Sequence, residues 1–417
     1  MKILVTHIAN TFNYGSAMMA INLMYYLNTA LGSDVEFYTD TRGEMNLLRL
    51  RVSTGLNNIH INNVRPKIVR RYKFKTLTLF NNVNFNIRWI NQYAKGVIDN
   101  YDAVIVCGGD DLSEYYNKLK VVFETYKIGK ISHQIPVFLV SQTIGPFTKW
   151  RKKLVRKHLK ECYIYTRDVW SLKYLKNTLG LNKLFDAADL AFLDLPNQLI
   201  EDETASILDR YQLTQDEYIT LVPSGLVRSY TSNREHYILT WRDILLNLMN
   251  EQRLKDKKIV LLGHVVRSFT ADDRVVINEI LNQLDTDYKK RIVPIYDTLL
   301  PYQARLILGS GVFAITGRMH AAISTFQMGK PAISLSYSIK YQGVIEETLG
   351  IKNLVVKTAH ENQWDLGIIC DEVNLRVDYV LNNYLKIKIE INEAVKKCKE
   401  KALIQINHIA RVLKDGE

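Results

Sequence analysis

AVIVCGGDD, residues 103–111, keeps its first four positions apolar and then breaks into paired glycines and paired carboxylates. A strand with one wet face alternates apolar and polar residues, whereas one apolar at consecutive positions is covered on both faces, as in parallel sheets. Val137-Phe138-Leu139-Val140 has the same character. Short β-rich runs at Ile3–Val5, Ala103–Val106, Val137–Val140, Tyr163–Thr166, Tyr218–Leu221, Ile259–Leu262, Phe313–Thr316 and Ala332–Leu335 alternate with longer amphipathic stretches. That alternation predicts βαβ units and an α/β fold. A further strand is expected at Asn353–Val356, then a polar loop over Lys357–Asp365 and helical periodicity from Asp371 onward.

At 417 residues the chain exceeds the size at which a single core stops growing, so two domains of roughly 200 residues are expected. The polar segment Asp194–Glu203 separates two series of βα units. It gives an N-terminal domain over 1–195, a second over 196–370, and C-terminal helices over 371–417 that pack back across the first. Hydrophobic residues at 47%, charged residues at 24% and only eight prolines argue against a disordered chain.

Lys and Arg exceed Asp and Glu by 55 − 43 = 12, which favours anionic partners. No nucleic-acid recognition motif accompanies the charge, so nucleic acid is not expected. The chain reaches His7, Asn10 and Asn13 too early for a signal-peptide core, and no run approaches the ~20 apolar residues of a membrane span. A cytoplasmic protein is expected. Cys107, Cys162, Cys370 and Cys398 lack metal-ligand spacing and suit a reducing compartment.

Ligands of open parallel sheets bind beyond the carboxyl ends of the strands. After the first run comes Asn13-Tyr14-Gly15-Ser16, with Ser16 a candidate N-cap of the helix Ala17–Leu27 and the helix start a candidate anion or hydroxyl site. Gly108 and Gly109 permit close backbone approach, and Asp110 can hold sugar hydroxyls. Gln142 opens a loop stiffened by Gly145-Pro146. Arg167 offers a planar fork of donors to a carboxylate or phosphate, with an Arg167–Asp168 structural pair as the alternative. Ser224 follows the fifth run, and His264 follows the sixth, with Asp272-Asp273 eight and nine residues beyond it. That spacing is too sparse for a metal centre, so His264 is assigned to polar recognition or capping and no metal site is expected.

Several familiar signals fail. The glycines of Gly309-Ser310-Gly311 precede their strand where a dinucleotide site needs them after it, and Gly329-Lys330 is followed by Pro331. Two basic stretches remain. Arg65–Lys75 interleaves cations with Tyr72 and Phe74, with Trp89 downstream, a mixture suited to a membrane surface. Lys149–Lys160 is read as a solvated helix face.

Together, Asn13-Tyr14-Gly15, Gly108-Gly109-Asp110, Gln142-Thr143-Ile144-Gly145-Pro146-Phe147, Thr166-Arg167-Asp168, Asp189-Leu190-Ala191-Phe192, Gly317-Arg318-Met319-His320 and Tyr337-Ser338-Ile339-Lys340 resemble the polysaccharide pyruvyl transferase family, in order and spacing, over residues 1 to about 350. The resemblance implies two facing Rossmann-like domains of the glycosyltransferase-B kind, and transfer of pyruvate from phosphoenolpyruvate onto two sugar hydroxyls as a ketal, without a metal or other cofactor. The acceptor, free or lipid-linked, is placed on the first domain and the donor on the second, at the inner face of the plasma membrane. The resemblance assigns anion clamping to Arg167, Arg318 and Lys340. His320, whose imidazole ordinarily titrates near ~6.5, becomes the general acid that protonates the enol methylene. Its alternative role is a cap on the helix Ala321–Met328. Where the family usually has Asn-x-Gly-Asp in the first loop, this chain has Ser16 in the Asp position. A nucleotide-sugar glycosyltransferase of the same architecture and a non-catalytic glycan binder are the rival expectations.

Overall fold

Parallel strands need long crossovers to bring the chain back to the same end of the sheet, and the amphipathic stretches supply them. The computed structural model describes residues 1–32, 34–68, 78–115, 117–200, 202–267 and 271–415, without the side chains of 78–81. The first sheet holds β1 (Lys2–Thr6), β2 (Glu36–Thr39), β3 (Ile59–Ile61), β4 (Ala103–Gly109), β5 (Val137–Gln142), β6 (Tyr163–Thr166) and β7 (Leu184–Asp186), in the order β3-β2-β1-β4-β5-β6-β7. The second holds β8 (Tyr218–Val222), β9 (Lys258–Leu262), β10 (Ile292–Ile295), β11 (Ala314–Thr316), β12 (Ala332–Ser336) and β13 (Val355–Lys357), in the order β10-β9-β8-β11-β12-β13. Every pairing is parallel. The all-apolar runs are the central strands: β5 is buried along its whole length and β4 up to its last glycine.

Strand order reverses between β1 and β4 in one sheet and between β8 and β11 in the other. At such a reversal successive loops leave in opposite directions and open a crevice. The two crevices face each other. Asn13 pairs with Val265 as an isolated antiparallel bridge, Val266 N donates to Phe12 O at 2.9 Å, and Tyr14 N donates to His264 O at 3.2 Å. One apolar cluster runs from Ile3 in β1 to Ile315 in β11, so the sheets share a core; a second lies under the other face of the first sheet.

Four strands escaped the sequence reading: β2, β3, β7 and β10. Each is three or four residues long and all but β2 are sheet edges. Pro294 in β10 is tolerated because that strand pairs on one side only. The last strand starts at Val355, two residues later than expected, because Lys352–Leu354 makes a helical turn first.

The C-terminal helices are Ile368–Asn382 and Tyr384–Asp415. The second packs back on the first sheet's side, against the helix Tyr14–Leu31. It is fastened by Lys401 Nζ on Asp186 (2.7 Å), Lys399 Nζ on Asp194 (2.7 Å) and a 2.6 Å hydrogen bond between Tyr165 Oη and His408 Nδ1.

Candidate active site

Loops from the facing crevices converge on a cleft of about 350 Å³. The first sheet contributes Asn13 and Ser16 after β1, Gly108 to Asp110 at the end of β4, and Arg167 after β6; the second contributes His264 after β9, Arg318 and His320 after β11, and Lys340 after β12. Three sequence candidates lie elsewhere. Gln142 is fully buried and donates to Val106 O at 3.1 Å. Ser224 is buried too, its backbone N–H and C=O both bonded to the Tyr237 hydroxyl. Gly15 packs behind His320: a Cβ there would lie 2.4 Å from His320 Nδ1. The chain keeps glycine at that position because nothing larger fits against the ring.

Behind the cleft lining, fully buried and in contact with two of its residues, lies Asp189, a residue of the quoted motifs to which the sequence reading gave no role. Its Oδ2 accepts from Arg167 Nη1 at 2.7 Å and lies 3.3 Å from His320 Nε2, while Oδ1 accepts from Ala191 N at 2.9 Å. Burial alone would raise its pKa, but the charge and hydrogen bond of His320, with Arg167, hold it well below the usual carboxylate range. Its placement follows from the turn that succeeds it. Asn22 Nδ2 donates to Leu190 O (2.8 Å) and Leu193 O (3.1 Å), and Arg305 donates to Ala191 O (2.6 Å) and Leu193 O (2.8 Å). One helix from each half therefore grips the turn, and Asp189 reaches from the first half to a histidine of the second.

Arg167 does not pair with Asp168. Its Nε donates to Thr143 Oγ1 at 3.0 Å, and Asp168 instead caps the next helix, accepting from Ser171 N at 2.7 Å. Ser16 is not an N-cap: the helix begins at Tyr14, after Asn13, so Ser16 sits in the first turn and faces the cleft. His320 is the second residue of the helix Met319–Gln327, whose N-cap position is Arg318.

Arg318 is anchored to the fully buried Asp273, with Nη2 2.6 Å from Oδ1 and Nε 3.1 Å from the same oxygen; Nη2 also donates to Ala271 O at 3.0 Å. Burial lowers its pKa, yet Asp273 more than compensates and raises it. Asp273 Oδ2 accepts from the backbone N–H groups of His264 (3.0 Å) and Val265 (2.8 Å). The His264–Asp273 proximity is thus a backbone brace. The His264 imidazole is buried, and burial followed by the charges of His320 and Arg318 pushes its pKa well down. It faces the cleft neutral, with Nε2 lacking a partner among the described residues. Lys340 Nζ donates to Tyr337 Oη at 2.7 Å, lies 3.4 Å from Asp110 Oδ2, and sits 4.7 Å from the Tyr337 ring centroid.

Sequence reasoning also missed His7, which lines the cleft directly after β1 with its Nε2 3.0 Å from Glu124 Oε1. Its pKa is raised, because Glu124 outweighs the opposing effect of burial. The signal was its position one residue past a strand end. Among the described residues no group of three His, Cys, Asp or Glu side chains is placed to hold a metal ion. No described helix is long and apolar enough to cross a membrane.

The architecture defines a class: two facing parallel α/β sheets of the glycosyltransferase-B kind. A UDP-GlcNAc 2-epimerase from Neisseria meningitidis superposes with a TM-score of 0.61 at 11% identity, covering 98% of this chain and 99% of that one. A UDP-glucosyltransferase from Polygonum tinctorium gives 0.58 at 10% identity, over 99% and 98%. Identities this low carry the fold and nothing more. The sequence pattern of the polysaccharide pyruvyl transferase family matches residues 13–339, and the chain belongs to that family. The amylovoran biosynthesis protein AmsJ of Erwinia amylovora is 24% identical over 314 residues, 71% of this chain and 69% of that protein.

Proposed function

We propose that the protein transfers pyruvate from phosphoenolpyruvate onto two hydroxyls of one sugar, in a polysaccharide or its lipid-linked precursor, on the cytoplasmic side of the membrane. The observation that carries this is the buried Asp189 carboxylate shared between Arg167 and His320, two residues of a cleft lining that also includes Arg318 and Lys340. The donor has a carboxylate and a phosphate, so its site needs several cations around one proton donor.

The guanidinium of Arg318 has five N–H donors; Nε and Nη2 are used by Asp273 and Ala271, and Nη1 is left for an anion. Arg167 and Lys340 supply the remaining charge. His320 gives its proton to the enol methylene, and the neighbouring carbon becomes oxocarbenium-like. A sugar hydroxyl adds there and returns its proton to the imidazole. Phosphate departs with the electron pair of its C–O bond, and the second hydroxyl closes the ketal as its proton passes to phosphate. The neutral His264 and the Asp110 carboxylate are suited to hydroxyl recognition on the acceptor. AmsJ, named for amylovoran biosynthesis, supports a polysaccharide setting.

The test is to incubate the protein with phosphoenolpyruvate and a panel of free and lipid-linked sugars, measuring phosphate release and the pyruvyl mass increment. Thermal protection by phosphoenolpyruvate and not by nucleotide sugars is expected. Protection by a nucleotide sugar alone overturns the donor assignment.

A further inference from the structure

We propose that the adjoining N-terminal tips of the helices Lys118–Ser132 and Lys149–Leu159 form a docking surface for an anionic lipid bilayer. The sequence placed membrane contact at Arg65–Trp89. Residues 69–77 of that stretch lie outside the described residues, and Trp89 is stacked on Tyr93 with ring centroids 5.1 Å apart and packed against the core. The structure points to the other basic stretch.

Residues 149–160 hold seven Lys or Arg and no carboxylate. Side chains three and four apart share a helix face. Val155 and Leu159 face the core, while Lys149, Trp150, Lys153, Arg156, Lys157 and Lys160 are all exposed, so the cations form one stripe headed by a tryptophan. Trp150 is 51% exposed, Tyr115 54% and Leu119 49%. The tips are joined: Glu114 accepts from Thr148 N (3.0 Å), Thr148 Oγ1 (2.9 Å) and Arg151 Nε (2.6 Å), which sets Tyr115 and Trp150 on neighbouring segments. Lys118 and Lys120 flank Leu119 and are exposed.

A merely solvated basic face does not account for an indole, a phenol and a leucine in water at its tip. Amphipathic rings flanked by lysines match the boundary between headgroups and acyl chains, with rings inserted and ammonium groups on lipid phosphates. Location adds a second argument. These helices begin where β4 and β5 end, the same end that opens into the cleft, and Asp110 and Asp111 of the β4 loop line it. A bilayer held there lies beside the cleft mouth. For a lipid-linked acceptor, a point that rests on the proposed function, docking would bring the sugar to the site.

Sedimentation of the full chain with vesicles tests the surface independently of catalysis. Binding is expected to phosphatidylcholine vesicles containing phosphatidylglycerol, weakening as salt rises, with little to phosphatidylcholine alone. Lys153→Ala and Lys157→Ala should each weaken it roughly five-fold, and the Trp150→Ala/Leu119→Ser pair should abolish most of it with an unchanged Tm. Brominated-chain lipid should quench the fluorescence of the wild type more than that of Trp150→Phe. Full retention of binding by the tip variants, binding lost only on replacing Arg65 and Lys67, or binding to duplex DNA with none to vesicles overturns the proposal.

Discussion

Two arginines of the cleft lining are each held by a fully buried aspartate. Arg167 and Asp189 belong to the first half, and the Asp189 oxygen that meets Arg167 also faces His320 of the second. Arg318 and Asp273 both belong to the second half, and Asp273 spends its remaining capacity on the N–H groups of Gly225, His264 and Val265. One carboxylate therefore links a residue of each half and the other braces loops. The first pair is fully buried and the second largely so, and a buried pair contributes little net stability unless its lone pairs are filled. What fills them decides the role: a titratable ring and one backbone N–H for Asp189, three backbone N–H groups for Asp273.

The largest effect expected is on turnover. His320→Gln keeps a polar side chain of similar reach but cannot deliver a proton, so product formation should fall ~10²–10⁴-fold with donor binding intact. Single-turnover phosphate release checks this. Near-normal turnover with a lowered Tm would instead make His320 structural.

The two carboxylates can then be compared directly. Asp189→Ala and Asp273→Ala each leave a buried guanidinium unpaired and should cost ~3–5 kcal/mol of stability. Measured well below either Tm, Asp189→Ala should also lose turnover, whereas Asp273→Ala should act mainly through affinity as the loops it braces loosen. Equal losses of kcat in both variants would erase the distinction.

Lys340 meets Tyr337 and Asp110 at the edge of the cleft, so Lys340→Ala should fold normally and lose ~1.5–3 kcal/mol of phosphoenolpyruvate binding. Unchanged affinity by calorimetry would remove it from the anion clamp. Arg167→Ala, by contrast, should destabilise the fold, since that side chain is fully buried.

The smallest effect expected is a pH dependence of stability. Burial, then Lys157 and His133, pushes His158 down to about 4, and His264 is also pushed down. Unfolded imidazoles take up protons near ~6.5, so this stability is fully present above that value and lost as pH falls toward 4. His7, whose pKa is raised, works in the opposite sense, its contribution fading as pH rises. His158→Gln should flatten the acid-side fall in Tm; an unchanged slope would contradict it.

The sequence by itself determined the α/β class, because strands such as Val104-Ile105-Val106 are apolar at every position only when both faces are covered. It also marked the loops after those strands, and Arg167, Arg318, His320 and Lys340 do share one cleft. The short edge strands were illegible: three or four residues with half-exposed positions carry too little pattern to separate from a loop. Only the tertiary structure decided which strand-end residues face the cleft. Gln142 ends β5 and Arg167 directly follows the neighbouring β6, and both are buried, yet only Arg167 reaches the cleft lining, since the local path of each loop sets the direction. Nor did sequence distance show that Asp189 meets His320, 131 residues away. That contact exists because Asn22 and Arg305, from opposite halves, grip the carbonyls of a single turn, and backbone groups record nothing of such partners in the order of side chains.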